Sequence, residues 1–423
     1  MNITTIRKYI NEIIFLPIIF IFFVYFIKSI NGNFLENVYS FNELFINYQS
    51  GFVRRGLLGE IFWKIQNIYK INPVYFFSTI YFILYIIYII LFYFLLKRFK
   101  NFIFIKILII YSPAFILFPV YDQNIYYVKD IFIKISIVAH GLIILKFKQD
   151  FNKYIYLLKY LIIPILGFLI LFIHEYQVLF VSVHIFFSYY VGEYNKIKKK
   201  SFIKSYNFLL IPIILVIIFF GDEKNYQNLN TILSKYNIII HSQLGGGFKF
   251  YIGGFYKWYF YYFRYQDFIN LFFSFLFSIG FLYYFFHYLI KKQILVINKI
   301  LKKNYINYFL PTLVCFIAID NGRNFSLIAT HLLVFYLILD INYTKAKLSL
   351  NNFVKNFFYL NSFILFFIFY IFLWKLDQFA GFGWGGKPFT IFKSSLMSEF
   401  ISFIKYIYYF IDKFIISLPI IKL

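Results

Sequence analysis

Long apolar runs separated by short polar connections recur along the whole chain. Most are long enough to form a helix that crosses the ~30 Å hydrocarbon core of a bilayer. They occupy residues 13–30, 73–96, 102–120, 131–147, 155–173, 177–192, 206–220, 268–290, 306–319, 324–340, 357–375 and 396–419, the last being the least clear. The pattern predicts an all-α, polytopic integral membrane protein with about 11–12 transmembrane helices.

Composition supports one membrane domain over the full length, residues 1–423. Hydrophobic residues make up 62% of the chain, whereas soluble domains contain roughly 45–50%. No stretch is polar enough to form a soluble domain. The first apolar run follows Arg7 and Lys8 but precedes no small-residue cleavage site, so we expect it to remain as an anchor.

The placement of basic residues predicts the topology. Clusters of lysine and arginine fall on alternate connections, and such clusters mark the cytoplasmic side of a bacterial inner membrane. The N-terminus is therefore predicted to be cytoplasmic. The connections predicted to face outward are residues 31–72, 121–130, 174–176, 221–267, 320–323 and 376–395. The net charge of +25 accompanies no nucleic-acid motif, so no nucleic-acid partner is expected.

Arginine is concentrated on the predicted outer side. Four of the six arginines lie there, at Arg54, Arg55, Arg264 and Arg323, although lysine is the usual cation of this chain. A guanidinium can meet two oxygens of a phosphate at once, which an ammonium cannot. The distribution favours an anion-binding site on the outer face.

The first outer loop contains the most distinctive segment, residues 47–60. Its apolar residues Leu57, Ile61 and Ile65 have helical spacing, which predicts an amphipathic helix in the membrane interface. Arg54 and Arg55 precede that helix, where free N–H groups favour a phosphate or pyrophosphate. The alternative interpretation is that both arginines extend to lipid headgroups.

Two short polar connections carry further candidates. His174 and Glu175 lie between two apolar runs, where such a pair suits general base catalysis. A solvated polar turn is the alternative. Asp320 and Arg323 flank an Asn-Gly turn, where Arg323 would add positive charge and Asp320 would orient it or accept a proton. A structural salt bridge across the turn is equally consistent with this spacing.

The long outer loops 221–267 and 376–395 combine glycines with aromatic residues. Trp258 and Trp384 are candidates for stacking on sugars, and Lys257 and Arg264 are candidates for contact with phosphate. Aromatic residues are also enriched at any membrane interface, which is the competing explanation.

Several kinds of chemistry have no support in the sequence. The single cysteine, Cys315, excludes an intrachain disulfide. The histidines outside residues 174–176 have no metal-ligand spacing. There is no P-loop, zinc motif or nucleophile elbow. We therefore expect neither a cofactor nor a metal.

Together, the many spans, the arginine-bearing outer loops and the lack of a nucleotide motif resemble bacterial O-antigen and capsule repeat-unit polymerases of the Wzy type. The resemblance concerns general organisation and implies transfer of a polyprenyl-pyrophosphate-linked oligosaccharide onto another lipid-linked repeat. Arg54, Arg55 and Arg323 would then hold the pyrophosphate, and His174, Glu175 or Asp320 would deprotonate the acceptor hydroxyl. The implied partners are the lipid-linked oligosaccharide, membrane lipids and a chain-length regulator protein.

Two other functions share this organisation. A GT-C-type glycosyltransferase that uses a polyprenyl-phosphate sugar usually has an aspartate or an acidic pair in its first outer loop, where this chain offers Glu36 and Glu43. A non-enzymatic flippase or transporter of lipid-linked oligosaccharides would place charges inside its spans. The sequence places charge at the outer ends of the spans instead, with Lys134 as an exception.

Overall fold

The computed structural model describes a set of ranges within the 423-residue chain. They are residues 3–30, 41, 43–49, 56–97, 103–121, 126–174, 176–196, 204–218, 231, 234, 271–280, 310–313 and 321–339. Within these ranges the regular structure is entirely helical and contains no strand. The prediction of an all-α fold is confirmed to that extent.

The helices follow the apolar runs. They are α1 (Ile3–Ile30), α2 (Leu57–Tyr69), α3 (Pro73–Leu96), α4 (Ile103–Ile110), α5 (Asp130–Phe147), α6 (Phe151–Ile173), α7 (Gln177–Tyr194), α8 (Leu210–Ile218), α9 (Leu271–Gly280) and α10 (Asn321–Ile338). Short helical turns lie at Glu43–Phe45, Phe118–Tyr121, Asn207–Leu209 and Leu310–Leu313. The predicted spans 357–375 and 396–419 lie outside the described residues.

Helix α5 is the centre of the described bundle. It packs against α3, α7 and α10, while α1 packs against α3. Gly141 permits the close approach of α10, because a Cβ atom at this position would lie 2.4 Å from the Val334 side chain. Buried aromatic residues fill the remaining space, among them Phe77, Tyr81 and Phe92.

The predicted span 102–120 is wrong as a continuous helix. Helix α4 ends at Ile110, and turns occupy most of residues 111–117. Pro113 is the physical reason: it has no N–H to donate, and it disfavours the helical conformation of Ser112 before it. The Ser112 hydroxyl instead accepts a hydrogen bond from the backbone N–H of Ala114 at 3.2 Å.

Two of the described helices are long and apolar enough to cross a membrane, Pro73–Leu96 and Phe151–Ile173. On α3, the exposed apolar side chains Ile83, Ile87, Ile90 and Phe94 form one stripe at helical spacing. An apolar stripe left uncovered by protein suits contact with lipid. The chain is therefore weakly consistent with a membrane protein, and its full set of spans remains a prediction.

The amphipathic helix expected in the first outer loop is present as α2. It buries Leu58 and Phe62 and exposes Ile68, which is 72% accessible. The helix ends at Tyr69, and the capping residue Lys70 adopts a left-handed conformation with φ 49°. Asn72 then caps α3, accepting from the N–H of Val74 at 2.8 Å. The location of α2 in a membrane interface stays a prediction.

Candidate functional site

Three ionisable side chains from distant parts of the chain meet at one end of the bundle. Asp130 is the first residue of α5, His174 follows the end of α6, and Arg323 lies in the first turn of α10. The side chains of all three are at most 5% accessible. All three residues lie in chain connections that the charge pattern predicts on the outer side of the membrane.

Asp130 and Arg323 form a bidentate ion pair. Arg323 donates from Nε to Oδ2 of Asp130 at 2.9 Å and from Nη2 to Oδ1 at 3.0 Å. A buried pair with two parallel hydrogen bonds fixes the guanidinium in position and direction. Removal of either partner would leave an uncompensated buried charge.

His174 completes this group. Its Nε2 atom lies 2.7 Å from Oδ1 of Asp130 and 3.2 Å from Nη2 of Arg323. Its Nδ1 atom accepts a hydrogen bond from the backbone N–H of Tyr176 at 3.2 Å. In a neutral imidazole the proton then lies on Nε2, which donates to Asp130. The extended backbone of His174, with φ −150° and ψ 116°, ends α6 and turns the ring towards Asp130.

Three more buried ionisable residues surround this triad. Glu43 is 6%, Lys129 1% and Lys134 4% accessible. Lys129 donates from Nζ to the backbone oxygen of Glu43 at 3.0 Å. Because buried charges are costly unless they are paired or used, their concentration marks a candidate functional site. The name "outer cluster" refers below to Glu43, Lys129, Asp130, Lys134, His174 and Arg323.

Helix α5 is tied to α10 a second time, one turn below the ion pair. Lys134 donates from Nζ to Oγ of Ser326 at 2.7 Å. The Ser326 hydroxyl in turn donates to the backbone oxygen of Ala114 at 2.5 Å. The non-helical segment that follows Pro113 thereby provides an acceptor inside the bundle, which a regular helix would not.

The structure brings His174 and Arg323 together from 149 residues apart in sequence. Eight other predicted site residues lie outside the described residues: Arg54, Arg55, Glu175, Lys257, Trp258, Arg264, Asp320 and Trp384. The partner found for Arg323 is Asp130, the last residue of the predicted outer connection 121–130. The sequence does contain a pattern that could have identified Asp130, since Asp130 and Lys134 are one helical turn apart at the start of an apolar run.

Hydrogen bonds join the residues before segment 50–55 to the helix that follows it. Glu60 on α2 accepts from the backbone N–H of Tyr48 at 3.1 Å and from Nε2 of Gln49 at 2.9 Å. A Cβ atom at Gly56 would lie 2.3 Å from the ring of Tyr48, so a larger residue there would displace that ring. Burial first, and then the Glu60 carboxylate, raise the pKa of the Tyr48 hydroxyl.

A second buried polar group lies deeper in the bundle. The name "histidine network" refers below to Ser136, His140, Tyr154, His184, Ser188 and Tyr206. The rings of His140 and His184 are parallel within 7°, and both side chains are almost inaccessible. Among the described residues, no three His, Cys, Asp or Glu side chains are grouped so as to hold a metal ion.

One carbonyl group sets the direction of the hydrogen bonds in the histidine network. Tyr206 donates to the backbone oxygen of His184 at 2.8 Å, so its hydroxyl oxygen accepts from Ser188 at 2.7 Å. Ser188 then accepts from Tyr154 at 2.7 Å, and Tyr154 accepts from Nε2 of His140 at 3.0 Å. Nδ1 of His140 is left to accept from Nδ1 of His184 at 2.9 Å.

This order gives each neutral histidine one tautomer, with the proton on Nε2 of His140 and on Nδ1 of His184. The chain of donors begins at the His184 ring and ends at the His184 backbone, where a carbonyl cannot pass a proton onward. The network therefore fastens α5, α6, α7 and the residues before α8 to one another rather than conducting protons through them.

Comparisons with known proteins give no relative. No family model, no curated protein and no solved structure matches the chain. The described residues define a helical bundle with two helices that could span a membrane and a buried ionisable cluster at one end.

Proposed function

We propose that this chain is a glycan-assembly enzyme of the bacterial inner membrane. In this proposal it transfers a polyprenyl-pyrophosphate-linked oligosaccharide onto another lipid-linked repeat on the periplasmic face. The observation that carries the proposal is the buried hydrogen-bonded group of Asp130, His174 and Arg323. A fixed cation at the outer end of a bundle is what departure of a pyrophosphate needs, because negative charge develops there in the transition state.

The roles of the residues follow from this chemistry. A base removes the proton of the acceptor hydroxyl, whose oxygen forms a bond to the anomeric carbon of the donor sugar. The bond from that carbon to the pyrophosphate oxygen breaks, and the leaving group keeps the electron pair. Arg323, with Arg54 and Arg55, is proposed to stabilise that leaving group.

The base is proposed among His174, Glu175 and Asp320. His174 contacts Arg323, but its Nδ1 lone pair already accepts the Tyr176 N–H. It can take a proton there only after that hydrogen bond opens, which makes His174 better suited to orienting Asp130.

A transporter or flippase of lipid-linked oligosaccharides is the second candidate function. It is favoured by the ionisable residues buried along the interior of the bundle, Lys134, His140, His184 and His331, which are at most 4% accessible. Such residues within spans often line a substrate or ion path. An enzyme assay distinguishes the two, since a transporter does not lengthen the glycan.

The test is Arg323→Lys in the native strain, with surface polysaccharide resolved on a gel beside the level of membrane protein. Lysine keeps the charge but loses the two-pronged contact, so we expect a rate loss on the order of 10²–10³, about 2.7–4 kcal/mol. Short, single-repeat glycan with normal protein level is the expected result.

The matched control is Lys64→Arg on α2, where the side chain is 74% accessible. It exchanges the same two residue types at an exposed site and should leave glycan length unchanged. Full-length polymer from Arg323→Lys would remove the main physical support for the enzyme.

A further inference from the structure

Lys134 is a buried cation that has no ion-pair partner in the part of the chain that the structure describes. Its Nζ donates to Ser326 and lies 4.8 Å from the ring centroid of Phe118. No carboxylate of the described residues lies within the 4.0 Å limit of an ion pair with Lys134, because the oxygens of Asp130 are directed to His174 and Arg323. A buried ammonium needs further polar contacts to offset the loss of its water shell.

A cavity of ≈ 10 Å³ lies beside Lys134 and Asp130. This is about the room that one water molecule requires. Its lining also includes Tyr85, Tyr88 and Phe118. The cavity therefore combines a cation, a carboxylate and hydroxyl groups around a space of atomic size.

One of these hydroxyl groups is poorly paired. Tyr85 donates to the backbone oxygen of Tyr126 at 2.8 Å. The Tyr88 side chain is 1% accessible, and its hydroxyl has the Thr330 side chain near it but makes no well-formed hydrogen bond to the described part of the chain. Because a buried hydroxyl is destabilising unless it is paired, Tyr88 is an independent sign that the cavity is occupied.

We propose that a water molecule occupies this cavity and joins Lys134 to Asp130. The water accepts hydrogen bonds from Lys134 and Tyr88 and donates one to Asp130. Three polar partners are what a buried water typically has. Oδ2 of Asp130 accepts only from Nε of Arg323 among the described contacts, so it retains capacity for the donation.

This arrangement makes Lys134 a positioning residue. Through the water it restrains Asp130, and Asp130 restrains Arg323. The functional part of this inference rests on the proposed glycan transfer, whereas the presence of the water does not.

The first test is a thermal unfolding cycle on the purified full-length protein in detergent. The variants are Tyr88→Phe, Lys134→Met and the double variant. If the water joins the two residues, the shifts in unfolding temperature should not add, since either single change removes part of the same hydrogen-bonded group. The matched control is Tyr85→Phe with Lys134→Met, where additive shifts are expected because Tyr85 is bonded elsewhere.

Additive shifts for Tyr88 and Lys134 would overturn the water. So would an experimental density map of the wild-type protein that resolves ordered waters and leaves this cavity empty. The map does not depend on whether any variant folds.

The second test measures surface glycan. Lys134→Met should reduce polymer on the order of 10²-fold, because a small misplacement of a reacting group has that effect. Full polymer from Lys134→Met together with non-additive unfolding would overturn the positioning role and leave the water standing. Full polymer from both Lys134→Met and Arg323→Lys would instead reject the proposed function.

Discussion

Asp130 and Arg323 act as one unit, because each offsets the cost of burying the other in a place shielded from bulk solvent. Their two hydrogen bonds, at 2.9 and 3.0 Å, are short and parallel. A pair of this kind contributes little net stability compared with apolar residues of similar size, but loss of one partner is severe. Single substitutions therefore do not distinguish a structural role of this pair from a functional one, and both residues must be changed.

We expect Asp130→Asn to lower the free energy of unfolding by about 3–5 kcal/mol, because it leaves the Arg323 guanidinium buried and unpaired. The double variant Asp130→Asn with Arg323→Met should be more stable than the single one. Denaturant or thermal unfolding in detergent measures both. The comparison is Lys153→Met, which breaks an exposed pair with Asp150 and should change stability far less. A loss for Asp130→Asn as small as that would mean that the buried pair is solvated.

Between secondary-structure elements, the histidine network links α5 to α7. The link between the two helices is the bond from Nδ1 of His184 to Nδ1 of His140. An asparagine amide occupies nearly the same place as Nδ1 of histidine, whereas a glutamine amide reaches the place of Nε2.

We therefore expect His184→Asn to keep the donor to His140 and to lose less stability than His184→Gln. A buried acceptor left unpaired by the glutamine should cost about 1–3 kcal/mol. The measurement is the unfolding temperature of the two variants, with His184→Ala as the reference for loss of the whole side chain. Equal stability of the asparagine and glutamine variants would contradict the assigned tautomers.

The agreement between predicted and observed helix bounds shows what an apolar run can predict. Helices α3 and α5 were predicted over residues 73–96 and 131–147 and are observed at Pro73–Leu96 and Asp130–Phe147. Run length and hydropathy are local properties, so they suffice for these bounds. They failed for residues 102–120 because the single residue Pro113 changes the average hydropathy little but interrupts the helical hydrogen bonds.

The candidate site was predictable only in part, for a different reason. His174 and Arg323 were selected because each lies at a polar break between apolar runs. The contact of Arg323 with Asp130 spans 193 residues, and no spacing rule reaches across that distance. The histidine network was missed because its members are scattered singly through apolar helices.

At the scale of the whole molecule, the side of the membrane is the main prediction. We expect reporter fusions after Lys200, Lys303 and Lys347 to report cytoplasm, and fusions near Gln227 and Gly383 to report periplasm, because basic loops remain inside. Alkaline phosphatase activity of each fusion, normalised to its protein level, is the measurement. A periplasmic signal after Lys200 would reverse the assignment of the outer cluster to the outer face.

The histidine network and the outer cluster also differ in when they can form during synthesis of the chain. All members of the histidine network lie between Ser136 and Tyr206, so the network can close as soon as that stretch has left the ribosome and entered the bundle. Asp130 and Lys134 enter with the same helix, but Arg323 and Ser326 are synthesised more than a hundred residues later. During that interval the early helices are fastened together around an incomplete ionic group, and arrival of α10 completes it. Biogenesis would thus assemble the scaffold before the site.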